Sequence, residues 1–108
     1  IYLLSNAQRI FTEYEMNLLG ITKFFDSILI SSDYLTKKPD KRFFDILIDK
    51  YTINPTNTLF IGNDSKTDIL GAKSVGFSTF YVKSNISPQD DMAFDADYIV
   101  DDFKKWTI

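Results

Sequence analysis

Leu59-Phe60-Ile61-Gly62-Asn63-Asp64-Ser65-Lys66-Thr67-Asp68 sets an apolar run against a glycine and then two acids one helical turn apart. A β-branched and aromatic run bounded by turn residues reads as a buried strand. The periodic Ile69-Leu70-Gly71-Ala72-Lys73-Ser74-Val75 that follows reads as a short helix. Asp64 and Asp68 therefore fall where a strand hands over to a helix. Ligands of open α/β sheets gather beyond the carboxyl ends of the strands, so both acids are candidate site residues.

The same alternation extends in both directions. Ile1 to Leu4 reads as a strand, Ser5-Asn6 as a turn, and Ile10, Tyr14 and Leu18 as one face of a helix that Gly20 ends. Phe24-Phe25-Asp26 leads into a strand from Ser27 to Ile30, and a polar loop through Ser31, Ser32, Asp33 and Thr36 reaches Lys37-Lys38-Pro39-Asp40. Phe44, Leu47, Ile48 and Tyr51 are spaced as one helical face, which Asn54-Pro55 stops. Gly76 closes the third helix, Ser78 to Val82 forms a strand and Ala96 to Val100 the last. This order predicts one α/β domain over residues 1–108, a doubly wound, Rossmann-like parallel sheet covered on both faces.

A chain of 108 residues supports one such core. Its 44% hydrophobic and 16% aromatic content excludes disorder, and a net charge of −3 offers no basic face for nucleic acid. Without cysteine or histidine, chemistry falls to carboxylates, lysines and hydroxyls. No apolar run approaches the roughly 18 residues of a membrane span, and no signal peptide opens the chain, so the cytoplasm is the default location. The chain starts without methionine, already inside a strand, which is the mark of a fragment.

Three strand ends lead into groups suited to a phosphate: Ser5-Asn6, Lys38, and Asn63-Asp64 with Asp68. A hydroxyl and main-chain N–H groups hold phosphate oxygens, and an ammonium neutralises their charge. Two carboxylates beside a dianion require a hard cation between them, and oxygen ligands suit Mg²⁺. Each piece also has a structural reading. Ser5 with Gln8, and Ser65 with Asp68, fit capping boxes, and Lys37 and Lys38 fit a solvated surface. The aromatics Phe24, Phe25, Phe43, Phe44, Phe80 and Tyr81 read as core.

Leu3-Leu4-Ser5-Asn6, then Lys38-Pro39-Asp40, then Ile61-Gly62-Asn63-Asp64-Ser65-Lys66-Thr67-Asp68-Ile69-Leu70-Gly71-Ala72 together resemble the second, third and fourth motifs of the haloacid dehalogenase-like (HAD) hydrolase superfamily. The resemblance implies that Ser5 and the Asn6 backbone hold the transferring phosphoryl group, and that Lys38 stabilises it and the nucleophilic carboxylate. It implies Mg²⁺ on Asp64 and Asp68, and a phosphatase acting on a small phosphorylated substrate through an aspartyl-phosphate. The fourth motif has two frames, one placing Asn63 and the other Asp64 as the first metal ligand. Asp64 is preferred because an Asn oxygen is neutral. Leu35 and Lys41 stand where the family often has glycine and proline.

The family's first motif, an Asp-x-Asp closing its own strand, has no counterpart here. Phe94-Asp95-Ala96-Asp97-Tyr98 imitates it but precedes a strand, and Asp90-Asp91 and Asp101-Asp102 read as solvated acids. In the resembling fold the missing strand lies between the Ile1 and Leu59 strands, so the sheet is expected to be split there. The chain is then the C-terminal portion of a core domain, inactive alone, with its nucleophile strand and a cap upstream. The gap would be filled by that N-terminal segment or by strand exchange with another chain. The rival readings are a non-catalytic module binding a phosphorylated ligand or partner and a receiver-like signalling domain.

Overall fold

The computed structural model describes residues 1–84, 87–88 and 95–100. Strands β1 (Tyr2–Ser5), β2 (Ser27–Ile30), β3 (Leu59–Gly62), β4 (Ser78–Val82) and β5 (Tyr98–Val100) alternate with helices α1 (Arg9–Leu19), α2 (Lys41–Tyr51) and α3 (Leu70–Ser74). All strand pairs are parallel. β1 lies on β2 with Tyr2 opposite Ser27, β3 on β4 with Leu59 opposite Ser78, and β4 on β5 with Phe80 opposite Tyr98. The sheet is split where the sequence reading expects it, into β1-β2 and β3-β4-β5. Among the described residues β1 and β3 each keep one unpaired edge, and a cavity of about 950 Å³ lies between them.

One apolar core joins the two pieces. Leu4 and Leu29 from the first meet Phe43, Phe44 and Leu47 of α2, which also cover Ala72 and Phe77 of the second. Phe44 tilts against Phe60 at 5.4 Å between ring centroids, and Phe60 stacks on Phe77 at 6.2 Å. Gly71 permits this packing. A Cβ there would lie 2.7 Å from Phe44 Cζ and 3.3 Å from the Pro39 Cα.

Helix ends follow local chemistry, with some differences from the sequence reading. Gly20 closes α1 in the left-handed region at φ 70°. α2 stops at Thr52, left-handed at φ 52°, ahead of the expected Asn54-Pro55; Asn54 instead caps a short 3₁₀ turn, Pro55–Asn57. The Ser5–Gln8 capping box does not form. The Ser31 hydroxyl accepts from the Ala7 N–H at 3.0 Å and the Ser32 hydroxyl from the Arg9 N–H at 3.2 Å, so a loop 24 and 23 residues away serves the start of α1. The Ser65–Asp68 box is likewise replaced: Asp64, extended at φ −131°, is the cap, and a π-helical turn, Ser65–Ile69, precedes α3.

Two parts of the core expectation are corrected. Phe43, Phe44, Phe80 and Tyr81 are buried, but Phe24 is 62% exposed, its ring beneath the Lys23 ammonium. On α1 only Met16 is buried, while Ile10, Tyr14 and Leu18 face solvent, so the periodicity marks a helix whose apolar stripe no described residue covers. No helix among the described residues is long and apolar enough to cross a membrane. Phe94, Asp90, Asp91, Asp101 and Asp102 lie outside the described residues.

Candidate functional site

The carboxyl ends of β1 and β3 converge on the loop that carries Lys38. The Lys38 ammonium donates to Asp68 Oδ1 at 2.6 Å, with the two side chains 12% and 8% exposed, and lies 5.7 Å from the centre of the Phe60 ring. The other oxygen, Asp68 Oδ2, accepts from the Asn63 N–H at 3.1 Å. Gly62 makes this approach possible: a Cβ there would lie 2.6 Å from Asp68 Cγ. A buried ion pair holds only where further hydrogen bonds share the desolvation, and Asp68 has one from the backbone.

On the other side of the cavity, Asn6 meets the same lysine through the main chain. Its Nδ2 donates to the Lys38 carbonyl at 2.9 Å and its Oδ1 accepts from the Lys38 N–H at 2.8 Å. Ser5, Lys38, Asn63 and Asp68 all line the cavity, whose remaining wall is mostly apolar and includes Leu4, Leu47, Phe60 and Phe77. The Ser5 hydroxyl forms no hydrogen bond with a described residue. Lys38 has three donors and spends one on Asp68, so hydroxyl and ammonium N–H groups remain for an anion.

Of the six residues singled out from the sequence, five form this cluster. Asp64 does not line the cavity. Its Oδ1 accepts from the Lys66 N–H at 2.9 Å and the Thr67 N–H at 3.1 Å, a helix-capping role. Asn63, the residue of the other frame, does line it, with Nδ2 donating to the Ser84 hydroxyl at 3.3 Å. No three acidic, histidine or cysteine side chains converge as a cation cage among the described residues. The Asp95–Asp97 imitation is structural: Asp97 accepts from the buried Thr79 N–H at 2.8 Å and pins β5 to β4, while the Asp95 carbonyl accepts from Lys73. The clamp from Asn6 to the Lys38 backbone had no sequence signal, because it joins residues 32 apart.

Parallel strands with helices between them, and polar strand ends gathered at one edge, define a Rossmann-like α/β protein. The chain belongs to the HAD-hydrolase-like family, whose model matches residues 35–106. It is 33% identical over 69 residues to the glyceraldehyde 3-phosphate phosphatase of Methanothermobacter thermautotrophicus, covering 64% of this chain and 30% of that protein. It is 39% identical over 61 residues to the phosphoglycolate phosphatase of Vibrio vulnificus, covering 56% of this chain and 26% of that one. The fold matches the magnesium-bound HAD-hydrolase YfnB of Bacillus subtilis with a TM-score of 0.82 at 22% identity, over 95% of this chain and 45% of that chain. The chain thus spans about a third or less of these two curated relatives. Membership in this family sets aside the receiver-like reading.

Proposed function

We propose that this chain supplies the phosphate-binding half of a Mg²⁺-dependent phosphatase that acts on a small phosphorylated metabolite. The catalytic aspartate arrives on a strand that fills the space between β1 and β3. One observation carries the reading: the Lys38–Asp68 pair closes the polar end of an apolar slot between the free edges of β1 and β3. A strand inserted parallel to both would satisfy both edges and deliver its carboxyl-terminal residue beside Lys38. Two phosphatase relatives and the named family support the chemistry.

In this reading Ser5 and the Asn6 backbone bind the phosphoryl oxygens, and Lys38 neutralises both the phosphoryl group and the entering carboxylate. The carboxylate oxygen attacks phosphorus as the bond to the ester oxygen breaks, and the second aspartate of an inserted Asp-x-Asp gives that oxygen its proton. The same aspartate then takes a proton from the water that hydrolyses the aspartyl-phosphate. Asp68, with Asn63 or Asp64, would hold Mg²⁺, which shields the charge between nucleophile and phosphate. The donors are neutral or anionic oxygens, the chemistry a hard cation takes. Asp68 keeps lone pairs beyond those given to Lys38 and Asn63, and the carboxylate on the inserted strand would complete the set.

The chain alone is therefore inactive. The test joins it to an apolar strand ending in Asp-x-Asp, in trans or as a fusion, and follows phosphate release from small phosphomonoesters with Mg²⁺. Activity that needs the strand, is lost with chelator and is lost in Lys38→Ala supports the reading. A complemented protein that binds phosphate without turnover favours the non-catalytic module. A dimer closed by exchanged strands would identify a second copy as the donor.

A further inference from the structure

The geometry points to Asn6 as a positioning residue that fixes the Lys38 ammonium at the mouth of the slot. The role of the lysine in phosphate chemistry rests on the phosphatase reading; the clamp itself does not. A single side-chain amide takes both main-chain polar groups of Lys38, donating to its carbonyl at 2.9 Å and accepting from its N–H at 2.8 Å. This is the pattern one peptide group offers another across a strand ladder, here supplied by a side chain directly after β1. The pairing fixes the orientation of the amide, because exchanging its oxygen and nitrogen would set donor against donor and acceptor against acceptor.

Fixing the Lys38 backbone matters because a lysine stem has four rotatable bonds, and its ammonium reaches one geometry only at an entropic cost. Lys37, one residue earlier, is exposed, and its carbonyl accepts from the Asp40 N–H rather than from a side chain across the slot. Lys38 instead ends on Asp68 Oδ1 at 2.6 Å, and Asp68 is tied in turn to the Asn63 N–H. Asn6, Lys38, Asp68 and Asn63 thus form a polar bridge across the end of the slot. It links the β1 side to the β3 side where, among the described residues, no strand hydrogen bond does. Asn6 also follows Ser5 directly, and Ser5 lines the same cavity as Lys38.

The test is competitive acylation of lysines in the whole chain, read by mass spectrometry, with Lys37 as the internal reference. In Asn6→Ala the Lys38 rate relative to Lys37 should rise at least about fivefold, the worth of about one net hydrogen bond. The Lys38 ε-methylene proton shifts, distinct while the side chain is held, should collapse together. Asn6→Asp keeps the shape and the acceptor but loses the donor to the Lys38 carbonyl. It should raise the rate likewise, and it decides the matter if Asn6→Ala loses its circular-dichroism signature. Unchanged relative acylation in a folded variant overturns the proposal, whatever the phosphatase assay gives. A raised rate in a protein that never hydrolyses phosphate upholds the clamp and defeats only the phosphatase reading.

Discussion

The Lys38 ammonium and the Asp68 carboxylate, 30 residues apart in sequence, meet at 2.6 Å in a site almost closed to water. Each is the other's main compensation for burial. Removing one partner leaves an unpaired charge, whereas removing both leaves none. Lys38→Met or Asp68→Leu alone should cost about 3–5 kcal/mol in urea unfolding, and the double variant less than either single one. Additive losses would show that the pair does not act as a unit.

Gly62 is the second point of leverage. Alanine there drives a methyl group into the Asp68 side chain, so Asp68 or the strand must move. Gly62→Ala should cost about 1–3 kcal/mol. It should also raise Lys38 acylation, which a purely local strain at β3 would leave unchanged.

The apolar stripe of α1 should tolerate polar change. Ile10 and Leu18 are both 73% exposed, whereas Met16 is 4% exposed. Ile10→Gln and Leu18→Gln should each shift stability by no more than about 0.5 kcal/mol, while Met16→Ala costs about 2–5 kcal/mol. A large loss in the stripe variants would mean that something covers α1 in solution.

Asp97 should matter for stability without being a nucleophile. Its carboxylate serves the N–H and hydroxyl of Thr79, which is fully buried. Asp97→Ala should destabilise by about 1–3 kcal/mol through those stranded donors. In the strand-complemented protein the phosphate-release rate should be retained, and its complete loss with the fold intact would refute the structural assignment.

Asp40 supplies a pH signature. The Arg42 side chain, its main-chain N–H and its charge hold the Asp40 carboxyl down at about 2, from an ordinary value of 3.8. A depressed carboxyl stabilises the fold fully above its unfolded value, and the contribution fades as pH falls through the folded value. The start of α2, which Asp40 caps, should therefore stay intact down to pH near 3 and loosen below it. Carboxyl carbon shifts can follow this, and Arg42→Ala should return the midpoint toward the ordinary range. A wild-type midpoint already there would contradict the pairing.

Periodicity and punctuation made the order of elements legible. Gly20 ends α1, and the β-branched and aromatic runs become strands. Ser5, Lys38, Asn63 and Asp68 were visible as polar groups after apolar runs, because a parallel sheet brings such ends to one edge. What stayed hidden depends on distant partners. Nothing local tells that Ser31 and Ser32 would serve the start of α1, or that Asn6 would hold Lys38. The choice between Asp64 and Ser65 as cap turned on the extended backbone of Asp64, which two adjacent cap-forming residues do not announce. The bare stripe of α1 was beyond reach because periodicity names an apolar face without naming its cover.

The gap between β1 and β3 also bears on how the molecule comes apart. Since no ladder spans it among the described residues, the two halves meet in side-chain packing around α2 and in the polar bridge at Lys38. Amide exchange should then resolve two cooperative units, one built on β1 and β2 and the other on β3, β4 and β5, opening with different free energies. A strand seated between them would fuse the pair into one unit, and the merging of two exchange regimes into one would register its arrival before any catalysis is measured.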